Sequence, residues 1–277
     1  MTIDGPPVIT MAAMPASKTH EPAPAWTAQE LAADPHTQAD KAERVRRMFG
    51  AIAGRYDLNN RLHSFGRDQV WRRAAVRMAN LRRSDIVLDV ACGTGDLTRA
   101  FADAGAAQVT GVDFTPQMLR IARTRRLTTR QASAASPAII RYVEGDAMRL
   151  AFPDASFDVV SIAFGIRNVA DPACALREFR RLLRPGGRLI VLEFARPSFP
   201  PARWANDFYC KVVMPRTATF ISGDRSGAYH YLPRSIDTFL SRQSLALAIT
   251  DSGFSPVEHR AMTLGVCVCY RGEVPAN

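Results

Sequence analysis

Residues 87–98, Val-Leu-Asp-Val-Ala-Cys-Gly-Thr-Gly-Asp-Leu-Thr, constrain this chain more than any other segment. An apolar run of strand character enters a Gly-x-Gly turn and then a helical stretch, which leaves bare backbone at the carboxyl end of a first strand. The same rhythm continues downstream. Short apolar runs at 86–91, 108–113, 139–144, 157–163 and 188–194 alternate with helical patterns at 96–104, 116–126 and 172–183, the last stopped by Pro185, Gly186 and Gly187. Such alternation predicts βαβ units around a parallel sheet covered on both faces. A helix over 235–252 and two late strands near 256–262 and 264–270 complete the pattern.

Composition narrows the setting. Of 277 residues 47% are apolar, enough for a sizeable core, and no run approaches the ~18–20 apolar residues of a spanning helix. Cys92, Cys174, Cys210, Cys267 and Cys269 form no CxxC pair, which argues against zinc and disulfides and for a reducing, cytoplasmic setting. Cys267 and Cys269, two apart in the last strand, are expected on one side as small core residues. The net charge of +10 comes from 36 basic residues of which only Lys18, Lys41 and Lys211 are lysine. Neither arginine cluster, around Arg120 to Arg130 or around Arg177 to Arg188, has the interleaved aromatics of a nucleic-acid surface. Both read as solvated helix faces, and no nucleic-acid partner is expected.

Residues 1–40, rich in Pro, Ala and Thr and containing Met11 and Met14 as further candidate starts, read as a disordered leader without a secretory signal. The rest, 41–277, reads as one domain: an N-terminal helical cap over 41–84, the α/β body, and an inserted cap segment over 197–234.

Acids recur in register around this turn: Asp96 opens the following helix, Asp113 ends the second strand 20 residues after Gly93, and Asp146 ends the next strand. Asp113 can accept both hydrogen bonds of a ribose diol, and Asp146 can meet an adenine amino group. NAD and S-adenosylmethionine share that ribose. A dinucleotide fingerprint would place a third glycine where Thr98 stands, and Asp96 would face the pyrophosphate, so the cofactor with a sulfonium and an amino-acid tail fits better.

On these residues the chain resembles the class I S-adenosylmethionine-dependent methyltransferases. It is more narrowly similar to the menaquinone/ubiquinone-biosynthesis C-methyltransferase family over about Lys41 to Glu273. The narrower likeness rests on Tyr56-Asp57-Leu58-Asn59-Asn60 through Ser64-Phe65-Gly66 to Trp71-Arg72-Arg73, on Phe164-Gly165-Ile166-Arg167-Asn168-Val169, on 181–193, and on Tyr229-His230-Tyr231-Leu232-Pro233-Arg234-Ser235. It departs where Asn59 replaces a usual Met and His63 a usual aliphatic residue.

The resemblance implies a Rossmann-like α/β fold with a mostly parallel seven-stranded sheet, helices on both faces and helical cap elements. It implies cofactor contacts at Gly93, Thr94, Gly95, Asp113, Asp146, Ala147 and Ala163, catalytic roles for Arg167 and Asn168, substrate contacts at Tyr56, Asn60, His63 and Tyr231, and no metal. Arg167 would stabilise a developing phenolate, the alternative being a salt bridge to Asp57 or Asp68; candidates for proton acceptor are His63, Asp68, His230 and Tyr231. The implied reaction is C-methylation of a prenylated quinol, demethylmenaquinol before 2-methoxy-6-polyprenyl-1,4-benzoquinol of the ubiquinone pathway. Other readings are a basic nucleic-acid-associated protein, an O- or N-methyltransferase sharing only the generic loop, and a non-catalytic partner in quinone synthesis. A tail so apolar implies peripheral contact with the inner face of the cell membrane, with Trp204, Phe208, Tyr209, Val212, Val213 and Met214, flanked by Lys211 and Arg216, as one candidate element and core packing of a cap helix as its alternative. Homo-oligomer formation stays open.

Overall fold

The computed structural model describes residues 24–125, 138–217 and 226–276. Its seven strands are β1 (Ile86–Val90), β2 (Gln108–Asp113), β3 (Ile139–Glu144), β4 (Phe157–Ala163), β5 (Leu183–Phe194), β6 (Val257–Met262) and β7 (Cys267–Glu273). They form one sheet in the order β3-β2-β1-β4-β5-β7-β6, in which only β7 opposes its neighbours. β1 lies between β2 and β4, so the connections diverge at its carboxyl end and open a crevice there.

The helices are α1 (Ala28–Ala32), α2 (Lys41–Ile52), α3 (Tyr56–His63), α4 (Arg67–Met78), α5 (Asp96–Asp103), α6 (Pro116–Thr124), α7 (Pro172–Leu182), α8 (Pro200–Phe208), α9 (Ala228–Thr238) and α10 (Arg242–Asp251). Strand alternation divides the core. Leu88 and Val90 pack with Leu176, Phe179 and Ile249 on one face, whereas Val87 packs with Trp71, Phe101 and Ile190 on the other. Cys267 and Cys269 both join the second group, as expected.

Several boundaries differ from the sequence expectation. The stretch 235–252 is two helices, because the Ser241 hydroxyl accepts the Ser244 N–H at 3.1 Å and starts α10 anew. The last strand begins at Cys267, after Thr263 and Leu264 take φ of 48° and 56°. β5 starts at Leu183 opposite Phe157, and its register slips before Arg188 meets Val159, so Pro185-Gly186-Gly187 lies within the strand. Helix α4 belongs to the layer covering the sheet, since Trp71 packs on Phe164 and Phe194, and only α2 and α3 of 41–84 face the crevice.

The expected disordered leader does not extend to residue 40. Within 24–40 a Thr27–Glu30 capping box starts α1, and Trp26 is 2% exposed in a cluster with Val45, Met48 and Tyr231. Residues 1–23, with Met11 and Met14, and Arg126 and Arg130 lie outside the described residues.

Candidate active site

The chain leaves β1 at Val90 and turns through Ala91, Gly93 and Gly95 at φ of 52°, 56° and 82° into α5. A Cβ on Gly93 would meet nothing within 4 Å, and Gly93 lines the cavity at the crevice. Gly95 serves a different purpose. A Cβ there would collide with the Tyr142 hydroxyl, and one on Gly111 would stand 2.8 Å from the Tyr142 ring, so both glycines make room for this β3 side chain. Gly95 itself does not line the cavity.

Asp113 closes the loop from the end of β2. Its Oδ2 accepts the Gly93 N–H and its Oδ1 the Thr115 N–H, each at 2.8 Å. Burial raises its pKa against those two bonds. Each oxygen retains acceptor capacity, which suits a ribose diol. Asp146 and Ala147 line the cavity beyond β3, with Asp146 Oδ1 accepting the Met148 N–H at 2.9 Å, and Ala163 lines it from β4. Phe114, Met118 and Met148 add apolar walls, while Phe49 and Tyr56 close the space from the cap. Polar groups are few and converge on one side of this mostly apolar hollow, as in small-molecule cofactor sites. An open glycine face, a carboxylate with spare lone pairs and an apolar slot for a flat base together fit S-adenosylmethionine. Phe114 and Met118 were not picked out in the sequence, although both lie within five residues of Asp113.

Beneath the loop, Asp89 is buried between the Thr98 hydroxyl at 2.6 Å and the Ser161 hydroxyl at 2.8 Å. Desolvation pushes its pKa up to about 6. Thr98, standing where a dinucleotide site has glycine, thus ties α5 to β1. Thr94 is buried outside the cavity, and its hydroxyl donates to Asp57 of α3 at 2.7 Å. Asp96 is neutralised by Arg99 and Arg125.

The 164–169 segment departs from expectation. Arg167 pairs with Glu193 of β5 rather than with Asp57 or Asp68, donates to the Phe164 carbonyl at 2.9 Å, and does not line the cavity. Buried beside Phe194, it fixes the turn that carries Asn168, and so acts as a positioning residue rather than one touching substrate. Asn168 does line the cavity, with its Oδ1 accepting the Tyr231 hydroxyl at 3.0 Å. Tyr231 is therefore a support for Asn168 and not a wall of the cavity.

Of the four expected substrate contacts only Tyr56 lines the cavity. On α3 the buried amide is Asn59, which donates to the Tyr229 hydroxyl, while Asn60 is half-exposed. His63 Nδ1 meets the Tyr209 hydroxyl at 3.1 Å, and that hydroxyl donates to the His63 carbonyl at 3.1 Å. One proton cannot serve both bonds, so Nδ1 carries the other and His63 Nε2 bears the lone pair. That Nε2 is buried with no partner among the described residues, and burial lowers the His63 pKa. No cluster of three metal-ligating side chains occurs among the described residues.

A sequence profile of the ubiE/COQ5 methyltransferase family matches residues 37–273. The chain belongs to the ubiE/COQ5 methyltransferase family. Relatives include demethylmenaquinone methyltransferases of Deinococcus radiodurans, 43% identical over 84% of this chain and 94% of the relative, and of Thermus thermophilus, 44% identical over 82% and 100%. The ubiquinone/menaquinone biosynthesis C-methyltransferase UbiE of Pseudomonas syringae pv. tomato is 39% identical over 86% and 91%. Among solved structures, a putative methyltransferase in complex with the Haloferax volcanii Trm112 activator aligns with a TM-score of 0.59 at 20% identity, over 84% of this chain and 98% of the other. The [4+2]-cyclase SpnF aligns equally, with a TM-score of 0.59 at 17% identity over 85% and 97%. The fold is thus the Rossmann-like α/β fold of class I methyltransferases. That one neighbour is a cyclase shows why chemistry for this ubiE/COQ5 member must be argued from its site.

Proposed function

We propose that this methyltransferase binds S-adenosylmethionine and C-methylates a prenylated quinol, with demethylmenaquinol as acceptor. The observation that carries the cofactor reading is Asp113, held by Gly93 and Thr115 at the rim of the cavity with acceptor capacity to spare. The acceptor reading is supported by the names of relatives at 43% and 44% identity. Relatives at 38% to 40% are named for both quinone pathways, so the ubiquinone precursor is the second reading.

When bound, S-adenosylmethionine supplies an electrophilic methyl group on a sulfonium. The protein's part is to hold, orient and dry the site. Asp113 takes the ribose, Phe114, Met118 and Met148 flank the base, and Phe49 and Tyr56 exclude water. Asn168, fixed by Tyr231, orients the acceptor ring at the end of β4. Carbon nucleophilicity rises as a ring hydroxyl gives up its proton. None of the four candidate acceptors lines the cavity: Asp68 accepts from Ser64 and Gln69, Tyr231 donates to Asn168, His230 borders a separate groove, and His63 is bonded to Tyr209.

The acceptor's tail resides in a bilayer. None of the described helices is long and apolar enough to cross one. Membrane contact would instead use Leu62, Phe65, Trp204 and Phe208, with Phe65 and Trp204 exposed to 78% and 73%. Arg61, Arg67 and Arg203 are exposed beside them and would meet anionic headgroups.

Complementation of a strain blocked in quinone methylation, with mass analysis of its quinones, tests the reading. Restored menaquinone is expected. Restored ubiquinone alone selects the second acceptor, and restoration of neither overturns quinol methylation.

A further inference from the structure

The contacts of one tryptophan reach the cofactor cavity from outside the stretch shared with the family. We propose that residues 24–33 are a structural part of the cofactor-site wall and that Trp26 is a positioning residue for Asn168. This rests on the reading of the cavity as the S-adenosylmethionine site.

Trp26 precedes residue 37, where the family match begins. Its indole stacks on Tyr231 with ring centroids 4.8 Å apart and planes inclined by 20°. Tyr231 donates to Asn168 Oδ1 at 3.0 Å, and Asn168 Nδ2 donates to the Phe164 carbonyl at 3.2 Å. Asn168 and Phe164 line the cavity; Trp26 and Tyr231 do not. Through Tyr231 and Asn168 the indole is therefore two contacts from the cofactor space.

The segment is built to hold that ring still. The Trp26 N–H donates to the Ser226 carbonyl at 3.1 Å, and its own carbonyl packs against Gly227, where any Cβ would collide with it. Arg44 donates to the Ala25 carbonyl at 3.2 Å, pairs with Glu30, and lies 5.5 Å from the indole centroid. Arg234 of α9 donates to the Ala32 carbonyl at 3.1 Å. The segment is thus fastened at both ends to α9 or the turn before it, the element that carries Tyr231.

A segment that only filled space would need no such fastening to the one helix whose tyrosine reaches Asn168. Removing the indole leaves the Tyr231 ring without the surface that defines its rotamer, and its hydroxyl then holds Asn168 for only part of the time. Stacking and one buried hydrogen bond are each of the order that changes affinity several-fold.

The test uses the full chain and isothermal titration with S-adenosylhomocysteine, alongside thermal unfolding. Trp26→Ala should weaken binding about tenfold, and Trp26→Phe, which keeps a stacking ring, should stay within about twofold. Tyr231→Phe should reproduce most of the loss, and Trp26→Ala combined with Tyr231→Phe should lose little more than either alone. Unchanged affinity of Trp26→Ala well below its melting temperature, or additive losses, overturns the proposal.

Should Trp26→Ala fail to fold, a chain with Trp71→Phe and Trp204→Phe keeps Trp26 as its one tryptophan. Its emission should shift on adding S-adenosylhomocysteine, and an unchanged spectrum despite binding overturns the proposal. Failure of the unmodified chain to bind S-adenosylhomocysteine overturns the cofactor reading itself, a result separate from either variant's.

Discussion

Thr94 of the glycine loop donates its hydroxyl to Asp57 of α3 at 2.7 Å, which joins the cofactor loop directly to the cap. Arg125 reinforces the joint by pairing with both Asp57 and Asp96.

Thr94→Val keeps the branched shape and deletes the donor. Loss of one bond to a partly exposed carboxylate should cost about 1–2 kcal/mol of cofactor affinity, roughly 5- to 30-fold, with little change in melting temperature. Titration with S-adenosylhomocysteine reads the first and calorimetric unfolding the second. A large fall in stability with unchanged affinity would mean that the bond serves the fold alone.

The Arg167–Glu193 pair is buried on both sides. Removing one charge strands the other, so Arg167→Met or Glu193→Leu alone should lower stability by about 3–5 kcal/mol, and the double variant should recover most of it. Urea unfolding checks this. Turnover should fall in all three, because the turn bearing Asn168 loses its anchor, whereas cofactor affinity should change only a few-fold.

Asp89 gives the fold a pH signature. Its carboxyl titrates near 6 when folded against an ordinary value near 3.8, so the folded state holds that proton more tightly than the unfolded chain. Its contribution is fully present below about pH 4 and is lost as pH rises through 6, a change of about 3 kcal/mol. Asp89→Asn keeps a polar group between Thr98 and Ser161 and should remove that slope. Unfolding free energies of both proteins from pH 4 to 7 supply the comparison.

Phe65→Ser with Trp204→Ser should reduce co-sedimentation with anionic vesicles several-fold while leaving S-adenosylhomocysteine binding unchanged. Raising the salt should weaken the remaining association, since Arg61, Arg67 and Arg203 are exposed. Equal sedimentation of variant and parent would remove this surface from consideration.

Strands β2, β3 and β4 fall where periodicity put them, because each holds a short run of apolar residues bounded by polar or turn residues. The acids at their ends were legible for the same reason, since a strand end fixes where a side chain stands. What sequence could not supply was partnership across the fold. Glu193 meets Arg167 only because β4 and β5 are neighbours, and nothing across their sequence separation of 26 announces it. Trp26 was hidden differently: a single aromatic in a Pro- and Ala-rich stretch has no periodicity, and its burial depends on a helix some 200 residues away. Asn59 and Asn60 are adjacent on α3, and only the position of Tyr229 decides which of them turns inward.

Tyr142 fills the space that Gly95 and Gly111 leave vacant, which makes three positions far apart in the chain a single unit of inheritance. Transplanting this glycine loop into a related scaffold would fail unless the β3 tyrosine travelled with it, and a bulky residue at Gly111 would evict the ring and unseat the loop from below. A chimera's crossover points in this enzyme therefore belong after β3, not between the loop and the strand that supports it.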